Sequence, residues 1–141
     1  MRATYRDLLY AWLLATILSG IPSTAYALLI GRDPLEATRA AGAMISMPDS
    51  IAAAALVHAS VSLFWCVLLW LVLPYRHTAL WALLASAAIA FLDLRLIAPV
   101  FFPEVAALDF WPQLADHLMW GACVGVAFQK RPGSQRGTRS V

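Results

Sequence analysis

The stretch Ile51–Leu73 reads IAAAALVHASVSLFWCVLLWLVL, and its reading decides the fold class. It is apolar almost throughout and about as long as the roughly 20 residues a helix needs to cross a bilayer. Three further runs share its length and character: Leu8–Ile30 before it, and Thr78–Ala98 and Ala107–Phe128 after it. The chain has 141 residues, of which 62% are hydrophobic and 13% charged. A soluble domain carries roughly twice that charged share. The sequence therefore predicts an all-α, polytopic membrane protein with four transmembrane helices. One domain spans residues 1–131, and a disordered basic cytoplasmic tail over 132–141 follows it. Little chain remains for a separate soluble domain.

Between the first two runs lies Gly31-Arg32-Asp33-Pro34-Leu35-Glu36. Asp33 is placed to cap a helix, Pro34 suits its first position, and Glu36 completes a D-x-x-E capping box. The pattern predicts a helix over 34–45 that stops before Pro48. That is too short to span, so it is expected as a periplasmic interfacial helix: a connector sealing the bundle top, or a re-entrant lid.

Orientation follows from the basic residues. With four spans, both chain ends and the turn at 74–77 share one side. Arg2, Arg6, Arg76, Lys130, Arg131, Arg136 and Arg139 lie there, against Arg32 and Arg39 on the other. Lys and Arg are retained in the cytoplasm, so both termini are expected there. Tyr5, Tyr10, Trp12, Trp70, Tyr75 and Trp81 fit the cytoplasmic interface, and Tyr26, Phe101, Phe102, Phe110 and Trp111 the outer one. The first run also resembles a secretory signal: Arg2 and Arg6, an apolar core, then Ala25-Tyr26-Ala27. Its apolar character continues through Ile30, which favours retention as a true first helix.

The strongest functional clue is a set of ionisable residues inside the apolar runs: His58, Asp93, Arg95, Asp116 and His117. A charge in a membrane segment is costly and usually has a partner or a task. Counted in turns of about 5.4 Å, these residues fall within one or two turns of each other in depth, in the periplasmic half. They are expected as a buried polar cluster. Arg95 lies near its helix end, where it can instead snorkel to the headgroups. In the first helix, Ser19, Pro22, Ser23 and Thr24 form a hinge or a polar wall facing the cluster. Pro22 removes a backbone donor and should kink the helix.

Small residues mark the packing faces. Gly121 and Gly125 share a stripe with Gln113 and His117 and make a G-x-x-x-G, a close-packing motif. Ala82, Ser86, Ala90 and Asp93 form a similar stripe, so Asp93 should point inward. Cys66 and Cys123 both lie inside spans and read as small buried residues, with a redox or metal role as the alternative.

Four readings of the cluster stay open. Carboxylate and imidazole groups can relay protons. Two His and two Asp can bind a divalent metal. His58 and His117, the candidate metal ligands, can also hold a haem axially. Finally, a polar network can hold helices in register. No C-x-x-C-H or H-E-x-x-H motif supports either cofactor, and none is expected. A membrane enzyme acting on lipid ranks third among the functional readings, since no nucleophile–base pair is visible, and the chain is not expected to be an enzyme. The basic residues form no groove, which argues against nucleic acid.

The stretch His117-Leu118-Met119-Trp120-Gly121, with Gly125 after it, resembles the last helix of small bacterial inner-membrane proteins, the YagU-like ones among them. Ser19–Thr24 and Gly31–Gly42 are similar to segments of other small proteobacterial four-helix proteins. The resemblance implies a bacterial inner-membrane location and carries over no activity and no catalytic residue. The expected function is an accessory subunit or a small-solute or proton-handling component. Its partners are the lipid bilayer and either further copies of itself or another membrane protein. The alternative is a haem- or metal-binding membrane protein.

Overall fold

The computed structural model describes residues 4–74 and 76–129. Arg2, Tyr75, Lys130, Arg131, Arg136, Arg139 and the expected tail over 132–141 lie outside them. Among the described residues all regular structure is helical. Three stretches are long and apolar enough to cross a membrane: Tyr5–Leu29, Ile51–Val72 and Thr78–Phe101.

The first begins earlier than its apolar run, because Thr4 and Asp7 form a reciprocal capping box that starts α1 (Tyr5–Leu18). It is also two helices rather than one. The chain breaks at Ser19–Gly20 and resumes as α2 (Ile21–Leu29) with Pro22 in its first turn. A first-turn proline loses no helical bond. Pro22 therefore starts a new helix instead of kinking a continuous one.

The outer capping box does not form. The helix that follows, α3, covers only Glu36–Ala43, with Leu35 at its N-cap and no side-chain cap. Asp33 accepts the Leu35 N–H at 2.9 Å, and Glu36 turns to the guanidinium of Arg32. A charged donor outcompetes the neutral backbone N–H that a capping box would have offered Glu36.

Helix α4 (Ile51–Val72) starts at a Ser50 cap, whose hydroxyl accepts from Ala53 N–H at 3.2 Å. It stops before Pro74, as the residue preceding a proline disfavours helical geometry. Helix α5 (Thr78–Phe91) runs into a π-helical segment, Leu92–Ile97. There the Ala98 N–H donates to the Asp93 carbonyl five residues back. Two short turns, α6 (Ala98–Phe101) and α7 (Pro103–Ala106), lead to α8 (Phe110–Phe128).

Helix α8 is the centre of the arrangement. It packs against α5, α1 and α2, while α4 packs against α1 and α3. The core joins Leu8, Ala11 and Ala15 to Cys66, Leu69, Ile89, Trp120, Val124 and Phe128. Small residues bring α8 and α5 together. A Cβ on Gly121 would stand 2.6 Å from Ser86 Cβ, and one on Gly125 would stand 2.8 Å from Ala79 Cα. Real Cβ atoms do not approach so closely, so only glycine permits this spacing. The outward faces of the three long stretches remain apolar, as at Ile17, Phe64, Leu71 and Leu84.

Candidate functional site

The polar residues of the long helices separate into three contacts, two of which meet on α8. The first is at the break in the N-terminal stretch. Gly20 has no side chain to cap α2. Asp116 of α8 takes that role across the helix interface: its Oδ1 accepts the Ser23 N–H at 2.9 Å. A carboxylate here satisfies a backbone donor left free by the new helix start and complements the positive end of the helix dipole. Ser23 Oγ donates to the Gly20 carbonyl at 3.3 Å.

The second contact lies one residue on, about 100° further round the helix. His117 Nδ1 donates to the Gln113 carbonyl at 2.8 Å. Its Nε2 faces Asp93 Oδ2 at 3.6 Å, within ion-pair distance. Asp93 belongs to the π segment, so its backbone carbonyl holds the wide turn while its carboxylate reaches α8.

The third contact is elsewhere. His58 of α4 places Nε2 3.1 Å from the Thr16 carbonyl and 3.2 Å from Ser19 Oγ. A carbonyl only accepts, so Nε2 carries the hydrogen. This contact continues into a polar network that the sequence reading did not assemble. Thr16 Oγ1 donates to Ser62 Oγ at 2.8 Å, and Trp120 Nε1 donates to the same oxygen at 2.9 Å. Trp12 Nε1 donates to the Ala59 carbonyl at 2.9 Å. Its only sequence signal was the spacing of His58, Ser62 and Cys66 along one stripe.

The expected single cluster is thus corrected in two respects. No hydrogen bond or ion pair among the described residues joins His58 to Asp93, Asp116 or His117. His58 faces α1, whereas the other three face α8 or lie on it. Nor is the set buried. His58 and Arg95 are exposed, and Asp93, Asp116 and His117 are half-buried. Among the described residues the buried polar side chains are Ser19, Ser23, Ser62, Thr78 and Ser86. The helix interfaces close around small hydroxyls and leave the larger ionisable groups partly or fully exposed. Arg95 stacks over the Phe110 ring, 4.2 Å from its centroid. Thr24 is exposed and is not part of a polar wall. Cys66 and Cys123 are buried free thiols.

Above the Asp116 contact, Arg32 bridges Glu36 of α3 and Asp109 at the start of α8, the latter at 2.6 Å. Arg39 pairs with Asp33 at 2.9 Å. These ion pairs roof a small cavity of about 20 Å³ lined by Ser23, Tyr26, Arg32, Glu36, Asp109 and Gln113. That is room for about one water, next to the groups that hold Asp116 and His117.

Among the described residues no group of three or more His, Cys, Asp or Glu is placed to hold a metal ion. All buried side-chain polar atoms among them have hydrogen-bond partners. No family model, curated protein or solved structure matches the chain.

Proposed function

We propose that the chain is a small proton- or solute-handling component of a bacterial inner membrane, acting as an oligomer or as an accessory subunit beside another membrane protein. In this reading α8 is a fourth span. Its Gln113, Asp116 and His117 lower its apolar character, but each is partly covered where α8 packs among α1, α2 and α5. Four spans put both termini on one side, and the Lys and Arg distribution supports the cytoplasmic side. Helix α3 then lies at the periplasmic surface.

One observation carries the functional reading. Each interruption of helical hydrogen bonding in the neighbouring stretches is met by an ionisable residue of α8. Asp116 meets the Ser19–Gly20 break, and His117 meets the π segment at Asp93. Broken and π-bulged membrane helices free backbone groups at the depth where ions and protons are bound. A purely structural network would not need an ionisable group at both interruptions, since hydroxyls serve elsewhere in this bundle. The test is dissipation of an imposed pH gradient in liposomes containing the purified protein. Faster collapse than in protein-free liposomes supports the reading, and identical rates overturn it.

A further inference from the structure

We propose that His117 and Asp93 form a binding site for one shared proton, and that the π segment Leu92–Ile97 rewinds when that proton leaves. The inference rests on the proton-handling reading above and names the proton as the species bound.

The tautomer carries the argument. The Gln113 carbonyl can only accept, so the hydrogen bond at 2.8 Å places a hydrogen on Nδ1 of His117. A neutral imidazole then presents a bare lone pair at Nε2. That lone pair points at Asp93 Oδ2, 3.6 Å away, which is also an acceptor when ionised. Two facing acceptors do not attract. The contact is favourable only when the pair holds one proton, as imidazolium with carboxylate or as imidazole with carboxylic acid.

The surroundings supply no substitute for that proton. Arg32 and Arg39 are paired with Asp33, Glu36 and Asp109. Arg95, two residues from Asp93, is turned onto Phe110. On α8 itself, Asp116 is the neighbouring titratable group and is held by the Ser23 N–H. Helix α5 carries no charged residue, α1 has Arg6 and Asp7 at its far end, α2 contributes Tyr26, and α7 contributes Glu104. His117 is therefore the counter-charge available to Asp93.

The backbone next to the pair is built to respond. In the π turn, Ala98 N–H donates to the Asp93 carbonyl. In an α-turn it would donate to Leu94. The next residue, Pro99, has no N–H to lose or gain in that exchange. The change therefore rewires the Ala98 donor with no rival bond at Pro99. It turns Asp93 by about one residue, or 100°, away from α8. Raising the pH removes the proton to water, and the attraction holding Asp93 toward His117 goes with it.

The test uses the full chain in phospholipid nanodiscs. Nitrogen NMR of labelled histidine reads the His117 ring, and hydrogen exchange reads the 92–98 amides after correction for intrinsic rates. The expected result is that Nδ1 stays protonated throughout while the proton at Nε2 is lost as pH rises. Over the same interval, protection of the segment rises about tenfold as α-helical hydrogen bonds replace those of the wide turn, on the scale of one net hydrogen bond. Asp93→Asn, and separately His117→Gln, make the corrected exchange independent of pH. A neutral His117 protonated at Nε2, or protection that does not change as the ring titrates, overturns the inference. A titrating pair with a responding segment but no proton flux in liposomes would leave this inference standing and remove the transport reading. Flux with a His117 that does not titrate would do the reverse.

Discussion

Asp116 of α8 accepts the backbone N–H of Ser23, 93 residues earlier in the chain, at 2.9 Å. A side chain of the last helix thus caps a helix that its own N-cap residue, Gly20, leaves uncapped. Asp116→Leu removes the acceptor and leaves the Ser23 N–H unsatisfied. The expected loss is about 1–3 kcal/mol. Asp116→Asn keeps an acceptor oxygen and should cost less. Thermal unfolding in detergent distinguishes them, and equal stability of the two variants would mean that the contact does not form.

The α8–α5 interface depends on absent side chains. Gly121→Leu drives new atoms into Ser86 and the Ala82 carbonyl, with an expected cost of about 1–3 kcal/mol from overpacking. Leu118→Ala removes part of a half-buried side chain and should cost about 1 kcal/mol. The same unfolding assay ranks them. Tolerance of leucine at 121 would place that stripe against lipid.

Coupling energies should follow the observed contacts. In a double-mutant cycle, Asp93→Asn and His117→Ala are expected to be less than additive by about 0.5–3 kcal/mol. Asp93→Asn and His58→Ala should add, because His58 contacts Thr16 and Ser19 of α1 instead. Coupling between His58 and Asp93 would restore the single cluster that these contacts divide.

Ser62 receives two donors, from Thr16 and Trp120. Ser62→Ala strands both in a low-dielectric interior. A loss of about 1–3 kcal/mol is expected, together with a shift in Trp120 fluorescence. An unshifted indole signal would contradict the contact.

The proposed fourth span, α8, makes a topology prediction. Reporter fusions at both chain ends should report the cytoplasm. A periplasmic C-terminus would leave α8 outside the membrane and the protein with three spans.

The apolar runs showed where the long helices lie, because sustained hydropathy needs no knowledge of partners. What sequence could not supply was rotation. His58 and Asp93 lie at similar depth, yet one faces α1 and the other α8. The π segment was equally hidden: LDLRLI reads as ordinary helix, and its widened turn sits where Asp93 meets His117 of another helix. Pro22 announced an interruption, but only the Asp116 contact explains why a second helix starts there. The D-x-x-E at 33–36 offered a local cap that was lost to Arg32, a partner four residues before Glu36. Gly121 and Gly125 were legible as small residues; that they admit Ser86 and Ala79 was not.

The most direct test of the central claim is the rate of proton entry into liposomes under a clamped membrane potential. Wild type is compared with Asp116→Asn, His117→Ala and the outward-facing Phe64→Ala. If α8 carries the proton-handling groups, the first two variants should lose roughly tenfold or more in rate, the scale on which a positioned acid–base group acts, and Phe64→Ala should match wild type. Unchanged flux in both α8 variants, or no flux in wild type, would contradict the account.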